Sequence, residues 1–362
     1  MMTNSTDYTV NGQFNSIVVI PTLNEAQYIE SVLDALSGAS GASKFQIWVV
    51  DGGSDDGTVD IVTRRASIDE NILLLHNPER TQAHALNLAA RKAHSDGGVQ
   101  YLIRADAHAQ YPPGWARQLI STAEQQEADS VVVPMQTLGG GAMRDAASDL
   151  FNSWLGNGGS RHRRSGQGGF VEHGHHALFR LKAFLSAGGY DPAFVANEDA
   201  EFDIRLRRQG GRIFLEPRAM IGYVPRDSLR GVIRQFYRNG RYRLRTSRKH
   251  GAAPGLRQLA PTILVSGLVA CIVAGAIIHP LLLIAPALYF CTVLVVASVI
   301  ATKKSPQRAW LIAVQAIAAH LSFGAGALRT LIERAPQTRN QTSFDNNVSS
   351  SESRAADTAP LN

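Results

Sequence analysis

Between positions 259 and 302 the chain carries 44 consecutive residues with no Asp, Glu, Lys or Arg. A bilayer core about 30 Å thick is crossed by about 20 apolar helical residues. His279 and Pro280 divide the run into 259–278 and 281–302, each long enough for one crossing. The sequence therefore predicts a transmembrane helical hairpin closed by a tight turn, and an ordinary soluble protein is excluded. A third apolar stretch, 309–328, contains Gln315 and His320 and is followed by Arg329, Arg334 and Arg339. Its length suits a crossing or an interfacial position, and a crossing is the preferred reading.

Charge is as unevenly spread as hydrophobicity. The formal net charge is +6, yet 205–257 holds fifteen Lys/Arg against Glu216 and Asp227, a local +13 that leaves −7 for the rest. Beside a hairpin, such a block points to anionic lipid, at about 1 kcal/mol per basic residue, rather than to nucleic acid. Lys303, Lys304 and Arg308 flank the other side of the hairpin. The positive-inside rule then places both hairpin ends, and the soluble part before them, in the cytoplasm. No secretory signal is expected, because the early apolar run 16–20 meets Pro21 and lacks a basic flank. Cys271 and Cys291 both lie in the apolar run, which leaves the soluble part without a disulfide or a thiolate zinc site. Residues 1–14 are expected to form an N-terminal extension, 246–258 a basic juxtamembrane segment, 259–330 the membrane domain and 335–362 a disordered polar tail.

Within 15–245 apolar runs alternate with amphipathic ones. Strands are expected at 16–20, 45–50, 72–75 and 101–104, and helices at 26–36, 58–66 and 82–93. That alternation predicts an α/β fold with a mostly parallel sheet covered on both faces. Ligands of such sheets bind beyond the carboxyl ends of the strands. The residues found there are Pro21-Thr22-Leu23-Asn24-Glu25, Asp51-Gly52-Gly53-Ser54-Asp55-Asp56-Gly57-Thr58 and Ala105-Asp106-Ala107-His108. Any one of these segments also suits turn or helix-cap duty. Together they gather acids that repel one another unless donors, a cation or a ligand neutralise them. A P-loop, a G-x-G-x-x-G dinucleotide loop, an EF-hand and a G-x-S-x-G nucleophile elbow are all missing from the sequence.

These strings, with Val18-Val19-Ile20 and Val49-Val50 before them, Arg104 before Ala105, and Gly188-Gly189-Tyr190-Asp191 and Asn197-Glu198-Asp199-Ala200-Glu201-Phe202 after them, resemble family 2 glycosyltransferases over 15–245. Within that family Arg104-Ala105-Asp106-Ala107-His108, His173-Gly174-His175-His176 and the C-terminal hairpin are most similar to the succinoglycan-biosynthesis ExoA type. The resemblance implies a GT-A fold, Rossmann-like with a mostly parallel central sheet, followed by C-terminal transmembrane helices. It also implies inverting transfer of a hexose, glucose from UDP-glucose, to a polyprenyl-diphosphate-linked saccharide in bacterial exopolysaccharide biosynthesis. The place is the cytoplasmic face of the inner membrane, where the partners are the UDP-sugar, the lipid acceptor, membrane lipid and other polysaccharide-assembly enzymes.

Carried over residue by residue, the resemblance puts Pro21, Thr22, Asn24, Glu25, Asp51, Gly52, Ser54, Arg104 and Asp106 on the nucleotide sugar. Asp51 would accept from the uracil ring, since an ionised carboxylate is an acceptor only. Asp106 and His108 occupy the family's metal motif, with His in place of the second Asp. Imidazole suits Mn²⁺ better than Mg²⁺ as the divalent cation. Asp199 would be the general base. His173, His175, His176, Glu198, Gln235, Arg238 and Arg241 fall on the acceptor or diphosphate side, and a basic glycine-rich loop with Arg161, His162, Arg163 and Arg164 lies nearby. Asn239 stands where processive synthases carry Trp after Q-x-x-R. With so few membrane helices, addition of a single sugar is expected rather than polymerisation. The alternatives are sugar transfer to polyprenyl phosphate itself and a non-catalytic sugar-nucleotide-binding membrane scaffold.

Overall fold

The computed structural model of the chain describes residues 15–37, 45–153, 167–302 and 305–333. The N-terminal extension, the basic loop at 161–164, Lys303, Lys304 and the expected disordered tail lie outside the described residues.

The first half winds as β1 (Ser16–Thr22), α1 (Ile29–Ser37), β2 (Phe45–Asp51), α2 (Thr58–Ala66), β3 (Ile72–His76), α3 (Gln82–Asp96) and β4 (Tyr101–Arg104). Strands β3, β2, β1 and β4 run parallel, in that order. Successive strand residues point to opposite faces, and in β1 both faces are covered. Val18 and Ile20 enter one core with Ile29, Val32 and Leu33 of α1, while Ile17 and Val19 enter another with Ala85, Leu86 and Ala89 of α3. That two-sided burial is why β1 reads as an unbroken apolar run rather than an alternating one.

The chain continues with β5 (Ala109–Gln110), α4 (Trp115–Gln125), β6 (Ser130–Val133), β7 (Met135–Thr137), α5 (Ala142–Asn152), β8 (Gly169–Phe170), β9 (His175–Arg180), α6 (Leu181–Ser186), α7 (Glu198–Arg208), β10 (Ile213–Leu215) and β11 (Ile221–Tyr223). The main sheet has the order β3-β2-β1-β4-β9-β6-β10-β8, and β5-β11-β7 form a second, smaller one. Strand β9 is antiparallel to both neighbours, pairing Leu102 with Phe179 and Val132 with His176. Its first residues therefore arrive at the edge where the parallel strands end. The fold brings His175 and His176 to the carboxylates by reversing one strand.

Four long helices follow: α8 (Leu229–His250), α9 (Leu256–Ile277), α10 (Ile284–Ile300) and α11 (Pro306–Ile332). Gln258–Ile277, Pro280–Ile300 and Pro306–Ile332 are each long and apolar enough to cross a membrane. The apolar stretch of α11 is 50% buried within the protein, against 11% for that of α9. The basic helix α8 runs unbroken past residue 245 to a left-handed cap at Gly251 (φ 63°). It meets α11 backbone to backbone, because a Cβ on Gly240 would sit 2.0 Å from the Phe323 carbonyl oxygen and one on Gly326 2.0 Å from that of Tyr237. Small residues at such crossings are what lets helix axes approach.

Candidate active site

The loops after β1 and β2 form one hydrogen-bonded unit. Asn24 takes up a left-handed conformation (φ 60°), which Asn tolerates better than most residues. Its N–H donates to Ser54 Oγ at 2.9 Å, and its side chain accepts from the Asp55 N–H at 3.0 Å. The Glu25 N–H donates to Thr58 Oγ1 at 2.9 Å. Asp51 is buried, and its carboxylate accepts from the Thr22 hydroxyl (3.1 Å), the Gly53 and Ser54 N–H groups (2.8 and 2.9 Å) and the Ser54 hydroxyl (2.5 Å). The unit is joined to the segment after β4 by His108, whose Nδ1 lies 2.9 Å from Glu25 Oε1.

A second cluster centres on Arg104, a cation only 6% exposed. Its Nε donates to Asp106 Oδ1 at 3.3 Å and its Nη1 to Asp199 Oδ1 at 2.6 Å, with Glu198 Oε1 3.8 Å away. Burial would push the carboxyl of Asp199 up, but Arg104, then His176 and His175, hold it well below the ordinary carboxylate range. Asp106 is likewise raised by burial and lowered overall by Arg104, His175 and His108. Glu198 goes the other way, pushed up to about 7 by burial and by the charge of Asp199. Burial lowers His175, whose ring sits between Asp106 Oδ2 (3.5 Å) and Asp199 Oδ2 (4.0 Å).

Behind Asp199 the network continues inward. The Tyr190 hydroxyl donates to Asp199 Oδ1 at 2.8 Å. His176, fully buried, places Nδ1 2.7 Å from that hydroxyl and 3.2 Å from Asp199 Oδ1, and Nε2 2.6 Å from Asp203 Oδ1. Asp203 Oδ2 meets His173 Nδ1 at 2.6 Å. Burial lowers the imidazole of His176, yet Asp203 and Asp199 raise it to about 10 overall, which favours the charged form with Nδ1 toward Tyr190 and Asp199 and Nε2 toward Asp203.

Tyr190 is placed by the glycine pair before it. Gly189 has φ 64°, and a Cβ there would lie 2.4 Å from Asn87 Oδ1. The bare backbone lets Asn87 bond both the Tyr190 N–H (2.9 Å) and the Tyr190 carbonyl (2.7 Å). Sequence reasoning quoted Gly188-Gly189-Tyr190-Asp191 without giving it a task. It missed Tyr190, Asn87, Asp203 and Gln82, whose Nε2 donates to Asp106 Oδ1 at 3.2 Å. Polar residues inside apolar helical runs, such as Asn87 in α3, were the available signal.

Of the expected residues, the structure joins Arg104, Asp106, His173, His175, His176, Glu198 and Asp199 in one network, and sets Pro21, Thr22 and Asp51 at the ends of β1 and β2 with Asn24, Glu25, Gly52 and Ser54 in the turns that follow. Gln235, Arg238 and Arg241 make no hydrogen bond or ion pair with that network. Gln235 donates to the Tyr223 hydroxyl at 3.0 Å, Arg241 pairs with Glu333 at 2.9 Å, and Arg238 is exposed. The basic helix reaches the site elsewhere, through Thr246 Oγ1, which accepts from Asn197 Nδ2 at 2.7 Å. Arg243, lowered by burial, faces Asp203 and Asp199.

Among the described residues no three His, Cys, Asp or Glu side chains converge as a ready-made metal site. The donor set nevertheless fits a divalent ion that shares its shell with a ligand. Asp106 Oδ2 lies 3.5 Å from His175 Nε2, and His108 is oriented through Nδ1 by Glu25, an arrangement that leaves Nε2 for a metal.

The mixed sheet, with its four parallel strands ending in an acidic edge and apolar helices after it, is the architecture of a GT-A sugar-transfer enzyme. The sequence profile of "Glycosyl transferase family 2" matches residues 17–186, and that of "Glycosyl transferase family group 2" matches 104–302. The chain is 44% identical over 247 residues to the succinoglycan biosynthesis protein ExoA of Rhizobium meliloti (strain 1021), covering 68% of this chain and 74% of that one. It is 24% identical over 227 residues, 60% of this chain and 69% of the other, to a dolichyl N-acetyl-alpha-D-glucosaminyl phosphate 3-beta-D-2,3-diacetamido-2,3-dideoxy-beta-D-glucuronosyltransferase of Methanococcus voltae. Its fold resembles that of the mannosyltransferase PcManGT of Pyrobaculum calidifontis, solved in complex with GDP-Man and Mn²⁺, with a TM-score of 0.54 at 20% identity over 90% of each chain. The protein belongs to glycosyl transferase family 2 and is a glycosyltransferase.

Proposed function

We propose that the protein is an inverting enzyme that moves a hexose, glucose from UDP-glucose, onto a polyprenyl-diphosphate-linked saccharide in bacterial exopolysaccharide biosynthesis. The observation that carries this reading is the state of Asp199. Its Oδ1 is pinned by Arg104, Tyr190 and His176, while its Oδ2 is turned toward His175. An ionised carboxylate held through one oxygen is set to take the proton of an acceptor hydroxyl through the other, as that hydroxyl attacks the anomeric carbon opposite the leaving diphosphate.

The turns of Pro21, Thr22, Asn24, Glu25, Asp51, Gly52 and Ser54 border the nucleoside, with Asp51 nearest the base. Arg104 and Asp106 face the diphosphate. Mn²⁺ or Mg²⁺, held by Asp106 and His108, would supply Lewis-acid stabilisation of the leaving group. Glu198, His173, His175 and His176 lie on the acceptor side. Arg238 and Arg241, on the basic helix, lie toward the lipid diphosphate. The ExoA relative supports the exopolysaccharide setting, and the dolichyl-linked substrate in the archaeal relative's name supports a lipid acceptor. The basic residues flanking α9 and α10 support a catalytic domain on the cytoplasmic face of the inner membrane.

The test is incubation of membranes holding the protein with a panel of labelled UDP-sugars, followed by lipid extraction and intact-mass analysis. One hexose added from UDP-glucose to a lipid diphosphate saccharide is expected. A product carrying one phosphate would replace the acceptor by polyprenyl phosphate, and no transfer from any donor would overturn the proposal.

A further inference from the structure

Helix α11 has the length and composition of a membrane span, but both of its ends are held by the same soluble domain. At its start Arg308 pairs with Asp145 at 3.1 Å and Asp149 at 2.9 Å, both on α5. About two turns further on, Gln315 Nε2 donates to the Met143 carbonyl at 2.9 Å. At its end Thr330 Oγ1 donates to the Arg241 carbonyl at 3.0 Å, Glu333 pairs with Arg241 at 2.9 Å, and Arg248 donates to the Leu331 carbonyl at 3.1 Å. Arg241 and Arg248 belong to α8, which is tied to α7 beside Asp199 by Thr246 with Asn197 and by Lys249 with Glu201, each at 2.7 Å.

A helix of 27 residues measures about 40 Å at 1.5 Å per residue, more than the roughly 30 Å of a bilayer core. If α11 crossed, its two ends would lie on opposite sides of the membrane, and one folded domain does not reach both. The hairpin supplies an independent marker. Gly324 of α11 lies against Pro261 and Val265, close to where α9 begins. Ile312, Ala313 and Ala316 share an apolar cluster with Val293, Ala297 and Ala301, close to where α10 ends. Thus α11 touches both open feet of the hairpin, where the chain enters and leaves the apolar layer.

We propose that α11 lies along the membrane surface on the catalytic side, bridging the two feet of a hairpin made by α9 and α10 alone, instead of forming a third crossing. The partner of this surface is the headgroup layer. On the neighbouring α8, Arg230, Arg234 and Arg238 recur every four residues, are exposed, and form no ion pair among the described residues, so they are available to lipid phosphates. Basic side chains beside apolar surface draw an element to the anionic headgroup level, where the charge attracts and the apolar face is buried. The far end of α11 then lies on the same side as the active site.

Membrane vesicles of both orientations, containing the full-length protein, decide the matter. Cys271 and Cys291 are replaced by Ser, and single cysteines are introduced as Ser67→Cys in the soluble domain, Gln307→Cys before Arg308, and Arg329→Cys or, as a second choice, Ile332→Cys at the far end. With a membrane-impermeant maleimide, all are expected to label in the orientation that exposes Ser67→Cys and to lose labelling in the other. Labelling at 329 or 332 from the opposite face, or from neither face until detergent is added, would overturn the proposal.

Discussion

The Tyr190 hydroxyl donates to Asp199 Oδ1 across 2.8 Å while accepting from the buried His176 2.7 Å away. One phenol therefore orients the proposed base, and the reach from Tyr190 to Asp199 depends on the glycine pair and on Asn87.

Removing that hydroxyl tests the orientation. Tyr190→Phe keeps a ring among Phe179, Phe184 and Phe202, whose centroids lie 5.9, 5.5 and 5.5 Å away. A hydrogen bond to a charged group is worth about 1.5–3 kcal/mol, so kcat is expected to fall about 10- to 100-fold, at 1.36 kcal/mol per decade. Steady-state kinetics showing an unchanged kcat would remove Tyr190 from the machinery.

Arg104 is the counter-charge for Asp106 and Asp199. Arg104→Met would remove the cation that offsets Asp106 and Asp199 and leave them to Gln82, Tyr190 and the histidines; breaking a buried ion pair outright costs about 3–5 kcal/mol. A much lower thermal midpoint is expected for this variant, and a smaller drop for Arg104→Lys, which keeps the charge but loses the fork. Equal midpoints for the two variants would contradict this account.

Stability should depend on pH on both flanks. The folded value of His176, about 10, lies above the ordinary 6.5, so its contribution is complete below pH 6.5 and is lost as pH rises toward 10. Glu201 is raised by burial but lowered to about 2 overall by Arg205 and Lys249, so its contribution is present above pH 4.5 and is lost as pH falls toward 2. Urea unfolding of the detergent-solubilised protein across that range should show His176→Gln abolishing the alkaline decline and leaving the acid one.

Gly189→Ala introduces a methyl group 2.4 Å from Asn87 Oδ1 at a residue with φ 64°. At a position with positive φ, adding a side chain destabilises by more than the ~0.4–1 kcal/mol gained at compatible sites. Turnover is expected to fall together with stability, because Tyr190 moves with the clamp. Thermal melts and rates measured on the same preparation check this, and an unaltered rate would show that the clamp is dispensable.

The proposed metal role gives a different readout. Chelation should abolish transfer, Mn²⁺ should restore it better than Mg²⁺, and His108→Asp should narrow that difference, since carboxylate oxygen suits Mg²⁺. Full activity in chelator would exclude the cation.

Much of the fold was legible because it is locally encoded. Strands 16–20, 45–50, 72–75 and 101–104 were set by largely apolar runs, and the helices between them by one-sided apolar spacing. The hairpin followed from length and lack of charge. The antiparallel β9 was not legible, because strand direction leaves no mark on composition. Asp51 illustrates a second limit. Its place at the sheet edge was legible, whereas the donors that hold its carboxylate, from Thr22, Gly53 and Ser54, depend on how the ends of two strands meet.

The sequence by itself determined the elements, the acids at the sheet edge and the apolar length of α11, since these depend on side-chain type and on neighbours within a few positions. Tertiary structure decided that His176 bonds Asp203 from 27 residues away and that Arg308 and Glu333 both find partners on one soluble domain. Those outcomes depend on which surfaces meet, and burial makes them decisive: a charge removed from water must be paired wherever the fold places it.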